Sequence, residues 1–303
     1  MELRLYPEVV TAVSKSIFIS GCTRTGTSLM GQLIYSLDNV EQFHEPPFLY
    51  AFMYLIDDVA DDVWKFLLES FVFEEMMLPA LAGRRLNFNE FDDSSVFKSK
   101  SRDEIMARLA RSHRRQEIFP VALNRRISFK MPETLPRLGR LRRYFPDMTF
   151  LVMLRKPENV IASLMERGWY SDAQMTGTSG EWIFKKGHDE KLPPWLQNDM
   201  VDEYIAMPEV DRCALCYLVQ YENLIDRQDC LVVDYDKLIA EPHAYFARVC
   251  VALGERFGAL TPQLLDGIRE PAKDRAIAVD RIDSGRHRRL TEVYAACKTL
   301  ALA

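Results

Sequence analysis

Apolar residues along this chain follow two alternating patterns. Four short runs are almost continuously apolar and rich in β-formers: Ser16–Ser20 (SIFIS), Ile127–Lys130 (ISFK), Thr149–Leu154 (TFLVML) and Leu231–Asp234 (LVVD). Runs of that kind predict strands covered on both faces. Behind them the period changes. Leu29, Met30, Leu33, Ile34 and Leu37 make one helical stripe, Glu133 to Tyr144 predicts a second helix, and Val160, Ile161, Leu164 and Met165 mark a third. Strands alternating with helices imply a parallel sheet with right-handed crossovers. The expected fold class is α/β, a three-layer arrangement around a parallel sheet of about four to five strands.

Two long stretches break the alternation. Residues 47–120 read as mostly helical and aromatic-rich, and residues 168–205 carry Gly, Trp, Pro and Lys in irregular order. Insertions of that length in a compact domain are usually lids or binding elements. With no internal repeat and no low-complexity tract, the expectation is one domain over residues 1–303, with helical insertions at about 47–120 and 168–205.

Composition narrows the class. The chain has 303 residues, 48% hydrophobic and 27% charged, which suits a globular protein with a large core. A formal charge of −5 argues against a general nucleic-acid binder, while leaving room for a local basic pocket. The N-terminal residues lack the pattern of a signal peptide, and no apolar run approaches the ~18 residues of a membrane span. Six cysteines are too sparse for a disulfide scaffold, so a cytoplasmic location is expected. Cys213 and Cys216 form a CxxC pair inside a helical segment, Val210 to Ile225, and read as buried thiols.

The candidate chemistry starts at the first strand. SIFIS runs into Gly21-Cys22-Thr23-Arg24-Thr25-Gly26-Thr27-Ser28 and then directly into the first helix. A glycine-bearing loop between strand and helix points backbone N–H groups at one spot, and the helix N-terminus adds partial positive charge there. The spacing fits the P-loop pattern, except that Thr27 stands where a nucleoside triphosphatase keeps its lysine. Arg24 supplies the cation instead, and Thr27 and Ser28 offer hydroxyls.

A second basic cluster follows the third run: Arg155-Lys156-Pro157, then Ser163 and Arg167. Arg155 falls at a strand C-terminus, the edge where open α/β sheets bind ligands. Ser163 and Arg167 are one helical turn apart, so the three residues are expected to converge on a phosphate monoester.

With both clusters in view, the chain resembles the 3′-phosphoadenylyl sulfate (PAPS)-dependent sulfotransferases, with motifs similar to the tyrosylprotein, glycan and bacterial branches. Arg24-Thr25-Gly26-Thr27-Ser28 matches the family's 5′-phosphosulfate loop. Arg155 and Ser163 match the Arg and the Ser eight positions later that hold the 3′-phosphate, and Arg167 matches an additional Arg of the tyrosylprotein branch. Lys156 departs from the commoner Arg-Asp-Pro opening. The resemblance covers residues 16–45, 127–167 and 229–253.

The resemblance implies a catalytic set. Glu45, in Phe43-His44-Glu45-Pro46-Pro47, takes the position of the general base, with His44 as the competing base. Lys130, in Phe129-Lys130-Met131-Pro132, resembles the family's Lys-x-Pro and joins Arg24 in stabilising the leaving oxygen. Tyr235 is expected near the nucleotide, and Ser284, Gly285 and Arg286 lie where family members close a loop over it. PAPS is then the co-substrate, adenosine 3′,5′-diphosphate (PAP) the product, and no metal is called for. The acceptor expected is a small molecule or glycan. Asp57, Asp58, Asp61 and Asp62, interleaved with Phe48, Tyr50, Phe52, Tyr54, Trp64 and Phe66, suggest a pocket for a cationic natural product, or else a solvated acidic helix face. Two rival classes remain open at this level, a metal-dependent small-molecule kinase and a non-catalytic nucleotide-binding module.

Overall fold

The computed structural model describes residues 3–111, 114–177, 184–186, 189–225, 227, 229–269 and 281–302. Five strands make one sheet: β1 (Ile17–Ser20), β2 (Val40–His44), β3 (Arg126–Lys130), β4 (Thr149–Leu154) and β5 (Cys230–Asp234). Their order is β2-β3-β1-β4-β5, and every pairing is parallel. The fold is α/β, with helices on both faces. Register sets the two interiors. Phe18 stands opposite Phe129 and Phe150, edge to face with each at 5.2 and 5.8 Å between ring centres. Ile17, Ile19, Leu151 and Met153 point the other way, against Met30, Leu33 and Ile34 of helix α1 (Thr27–Tyr35).

Four of these strands lie where the apolar runs predict. The fifth, β2, does not read as a strand, because Glu41 and Gln42 sit in its middle and yet are buried. Glu41 is tolerated there because helix α2 (Arg102–Leu109), from the first insertion, brings Arg108 against it. Both guanidinium nitrogens of Arg108 donate to the carboxylate, at 3.0 and 2.7 Å, and Arg125 Nη1 adds a contact at 3.1 Å. The second helix also starts later than the sequence predicts. Glu133 adopts a left-handed φ of 61°, a 3₁₀ turn spans Leu135–Arg137, and α3 covers only Leu138–Tyr144. Pro132 precedes that turn and Pro136 lies within it, and each disfavours α geometry in the residue before it.

On the face of Phe18, α4 (Pro157–Arg167) packs with α5 (Glu209–Tyr221) and α7 (Ser284–Thr299), while α6 (Tyr235–Ala240) follows β5 directly. Helices Pro47–Tyr54 and Asp61–Ser70 open the first insertion, and a short two-strand ladder of Lys185–Lys186 with Lys191–Leu192 lies in the second. None of the described helices is long and apolar enough to cross a membrane.

The order of strands places the site. The chain leaves β1 toward β2 on one side and leaves β4 toward β5 on the other. The crevice beyond the C-terminal ends of β1 and β4 is therefore the topological switch point, where open α/β sheets take their ligands.

Candidate functional site

The β1–α1 loop is held from below. Thr25 Oγ1 donates to the Cys22 carbonyl at 2.6 Å, and Cys22 N donates to the Tyr221 hydroxyl at 3.2 Å. Gly26 takes a φ of 94° at the N-cap of α1, and a Cβ there would meet the Tyr235 ring at 2.3 Å. Only glycine satisfies both the left-handed backbone and that close approach. Arg24, also left-handed at φ 73°, donates through Nε to Ser163 Oγ at 2.9 Å.

Arg155, just past β4, closes the same corner. Its Nη1 donates to the Arg24 carbonyl at 3.1 Å, and its guanidinium lies 4.4 Å from the centre of the Tyr235 ring. Its Nε is buried with no hydrogen-bond partner among the described residues. An unmet guanidinium donor beside a helix N-terminus fits an anionic ligand.

Lys130 ends β3 almost fully buried. Its Nζ donates to Ser28 Oγ at 2.9 Å and lies 2.5 Å from Glu45 Oε1. Glu45 follows β2 with a left-handed φ of 40°, and its N–H donates to the Lys130 carbonyl at 3.1 Å. One ammonium thus ties the loop to an exposed carboxylate. His44, beside it, has its pKa pushed down to about 4, first by burial and then by the Lys130 charge, so its imidazole is neutral at ordinary pH.

These side chains surround a cleft of about 670 Å³, lined by Arg24, Gly26, Thr27, Ser28, His44, Glu45, Lys130, Arg155, Trp169 and Tyr235 among others. A second cavity of about 300 Å³ shares Thr23, Glu45, Tyr50 and Trp169 with it and continues to Tyr54, Glu133, Tyr170, Lys191 and Tyr204. A third, about 530 Å³, adjoins the cleft at Tyr235 and is walled by Leu29, Phe97 and Leu264.

The two predicted clusters therefore meet, with exceptions. Arg167 is exposed at the last turn of α4 and lines none of these cavities. Sharing a stripe with Ser163 is not enough, because Ser163 is buried against Arg24 while Arg167 sits in solvent at the helix C-terminus, an end that favours cations. Ser284, Gly285 and Arg286 open α7 instead of lining the cleft. Gly285 N and Arg286 N donate to the capping carboxylate of Asp283, and Arg286 pairs with Glu203 at 2.5 Å. The acidic run does not form an acceptor pocket either. Asp57 pairs with Arg137 and Arg140, Asp61 pairs with Arg140, and none of the four acids lines the second cavity.

Sequence reasoning missed Trp169 and Glu133. Trp169 carried no local signal. Glu133 follows the Lys-Met-Pro run directly, and its left-handed backbone before Thr134 was masked by the helical pattern that follows. The CxxC pair is buried, with Cys22 Sγ 3.6 Å from Cys216 Sγ, and no cluster suited to a metal ion occurs among the described residues.

A parallel sheet with a glycine loop at its switch point and basic side chains around it makes an α/β site suited to an anionic ligand. Residues 16–258 match the model of the sulfotransferase family, and the chain belongs to that family. Similar solved structures include the sulfotransferase domain of the Synechococcus PCC 7002 olefin synthase, 13% identical over 94% of this chain and 93% of that one, with a TM-score of 0.46. Another is sulfotransferase STF9 of Mycobacterium avium, 15% identical over 96% and 78%, also at 0.46. No curated protein matches the chain significantly.

Proposed function

We propose that this protein transfers a sulfuryl group from PAPS to a hydroxyl or amine of a small-molecule or glycan acceptor. The observation that carries the reading is Lys130, whose ammonium touches both Ser28 of the loop and Glu45, the carboxylate shared by the cleft and the second cavity.

In this scheme the 5′-phosphosulfate rests on the loop from Arg24 through Thr25, Gly26 and Thr27 to Ser28. The 3′-phosphate lies against Arg155 and Ser163, and the base passes Tyr235 toward the cavity walled by Leu29 and Phe97. The acceptor enters through the second cavity and meets Glu45. Glu45 takes the acceptor proton as the new bond to sulfur forms. The bond to the bridging phosphate oxygen breaks, and Lys130 and Arg24 stabilise the charge left on PAP. The neutral, weakly basic His44 is the lesser candidate for the base.

Transfer of labelled sulfate from PAPS to acceptors in a mixed metabolite extract tests the reaction. Glu45→Gln is expected to lower kcat by on the order of 10²–10⁴ with little change in PAP affinity. Turnover that survives the substitution would hand the proton to another group. PAP binding with no transfer to any acceptor would make the protein a binding module.

A further inference from the structure

One carboxylate of the second cavity has no ion pair among the described residues. Glu133 lies half-buried on its wall, and among the described residues its carboxylate accepts hydrogen bonds only from neutral donors. Oε1 accepts from the hydroxyls of Thr23 and of Tyr170, the latter at 2.9 Å, and the Cys216 thiol lies 3.7 Å away. Oε2 accepts from Trp195 Nε1 at 3.0 Å. No arginine or lysine among the described residues pairs with it. Three other carboxylates near the site have cationic partners: Glu41 is held by Arg108 and Arg125, Glu45 by Lys130, and Asp93 by Lys98.

The walls around Glu133 are aromatic. Tyr50, Tyr54, Trp169, Tyr170 and Tyr204 line the same cavity. The Tyr54 hydroxyl donates to the Glu133 carbonyl at 3.3 Å, so that face is anchored to the same turn. Lys191 is the cavity's remaining charged side chain besides Glu45, and its ammonium lies over the Phe184 ring, 5.7 Å from the ring centre. A partly desolvated carboxylate among aromatic faces is costly without a cation and attractive to one.

We propose that Glu133 is the specificity residue of the acceptor cavity and selects acceptors bearing an ammonium or guanidinium group. This rests on the sulfuryl-transfer reading, which makes the second cavity the acceptor's side of Glu45. The acceptor's cation sits at Glu133 while its nucleophile faces Glu45. Four neutral donors hold the carboxylate, only Trp195 of them at Oε2, which leaves an unused acceptor position there among the described residues, so charge recognition costs little reorganisation.

The test uses the whole protein saturated with PAP. Benzylguanidinium and benzyltrimethylammonium are titrated against benzyl alcohol, followed by calorimetry and by the fluorescence of the tryptophans beside the cavity. At least one cation is expected to bind ten-fold or more tightly than the alcohol in the wild type. Glu133→Gln, which keeps an acceptor and the side-chain shape, is expected to bring the ratio to about one with PAP affinity unchanged. Equal binding of cations and alcohol in the wild type overturns the proposal without any variant, and so does failure of both cations to bind. A preference that survives in folded Glu133→Gln overturns it as well. Failure of PAP itself to bind would sink the sulfuryl-transfer reading instead.

Discussion

Three residues in left-handed backbone, Arg24, Glu45 and Glu133, stand at the site, and none is glycine. Such conformations cost on the order of 1 kcal/mol or more each and persist where the surroundings over-determine them. Here the surroundings are the hydrogen bonds from Arg24 to Ser163, from Glu45 to the Lys130 carbonyl, and from Thr23, Tyr170 and Trp195 to Glu133. Sequence motifs identified Arg24 and Glu45 by type and position, but their backbone geometry is visible only once the strands are paired. His44 yields a prediction at this scale. Folded, it takes up a proton only near pH 4; unfolded, near its ordinary value of 6.5. Between these the unfolded chain binds the extra proton, so stability falls as pH falls from about 6.5 to about 4. His44→Gln is expected to remove on the order of 2 kcal/mol of that decline, read from urea midpoints at pH 7 and pH 4.5. An unchanged difference between the two pH values would show that His44 is not held neutral.

At the scale of elements, the alternation of strand and helix was legible because both faces of β1, β3, β4 and β5 are apolar. β2 was not, since its central residues are polar. Its place at the sheet edge depends on α2, a helix from the insertion that carried no recognisable motif, whose Arg108 meets Glu41 in a buried bidentate pair. Breaking one side of such a pair strands a buried charge. Arg108→Met is expected to cost about 3 kcal/mol by chemical denaturation, with Arg125 retaining part of the contact. The double variant Glu41→Leu/Arg108→Met is expected to recover most of the loss. If the single and double variants lose the same amount, the pair is not what holds α2 to the sheet. Because β2 leads into His44 and Glu45, the single variant should also weaken turnover.

At the scale of the whole molecule, the cleft draws on the loop after β1, the ends of β2, β3 and β4, the start of α6, and the first insertion through Asp92 and Asp93. Its cations are side chains, Arg24, Lys130 and Arg155. One cooperative domain is the reading these shared walls support. Calorimetric unfolding is expected to show one transition, raised by roughly 5 °C by PAP at a hundred times its Kd and indifferent to Mg²⁺ or EDTA. Two transitions, or a shift that requires Mg²⁺, would contradict it. The sequence by itself determined the buried strands, the loop between β1 and α1, and the candidate residues Arg24, Glu45, Lys130 and Arg155, because each of these is written in local pattern and spacing. Tertiary structure alone decided that Lys130 bridges the loop to Glu45, that Arg167 and Arg286 stand apart from the cleft, and that Glu133 faces a cavity with no arginine or lysine paired to it among the described residues. Those facts depend on which side chains distant segments bring together, and burial and charge pairing across such distances leave no trace in local periodicity.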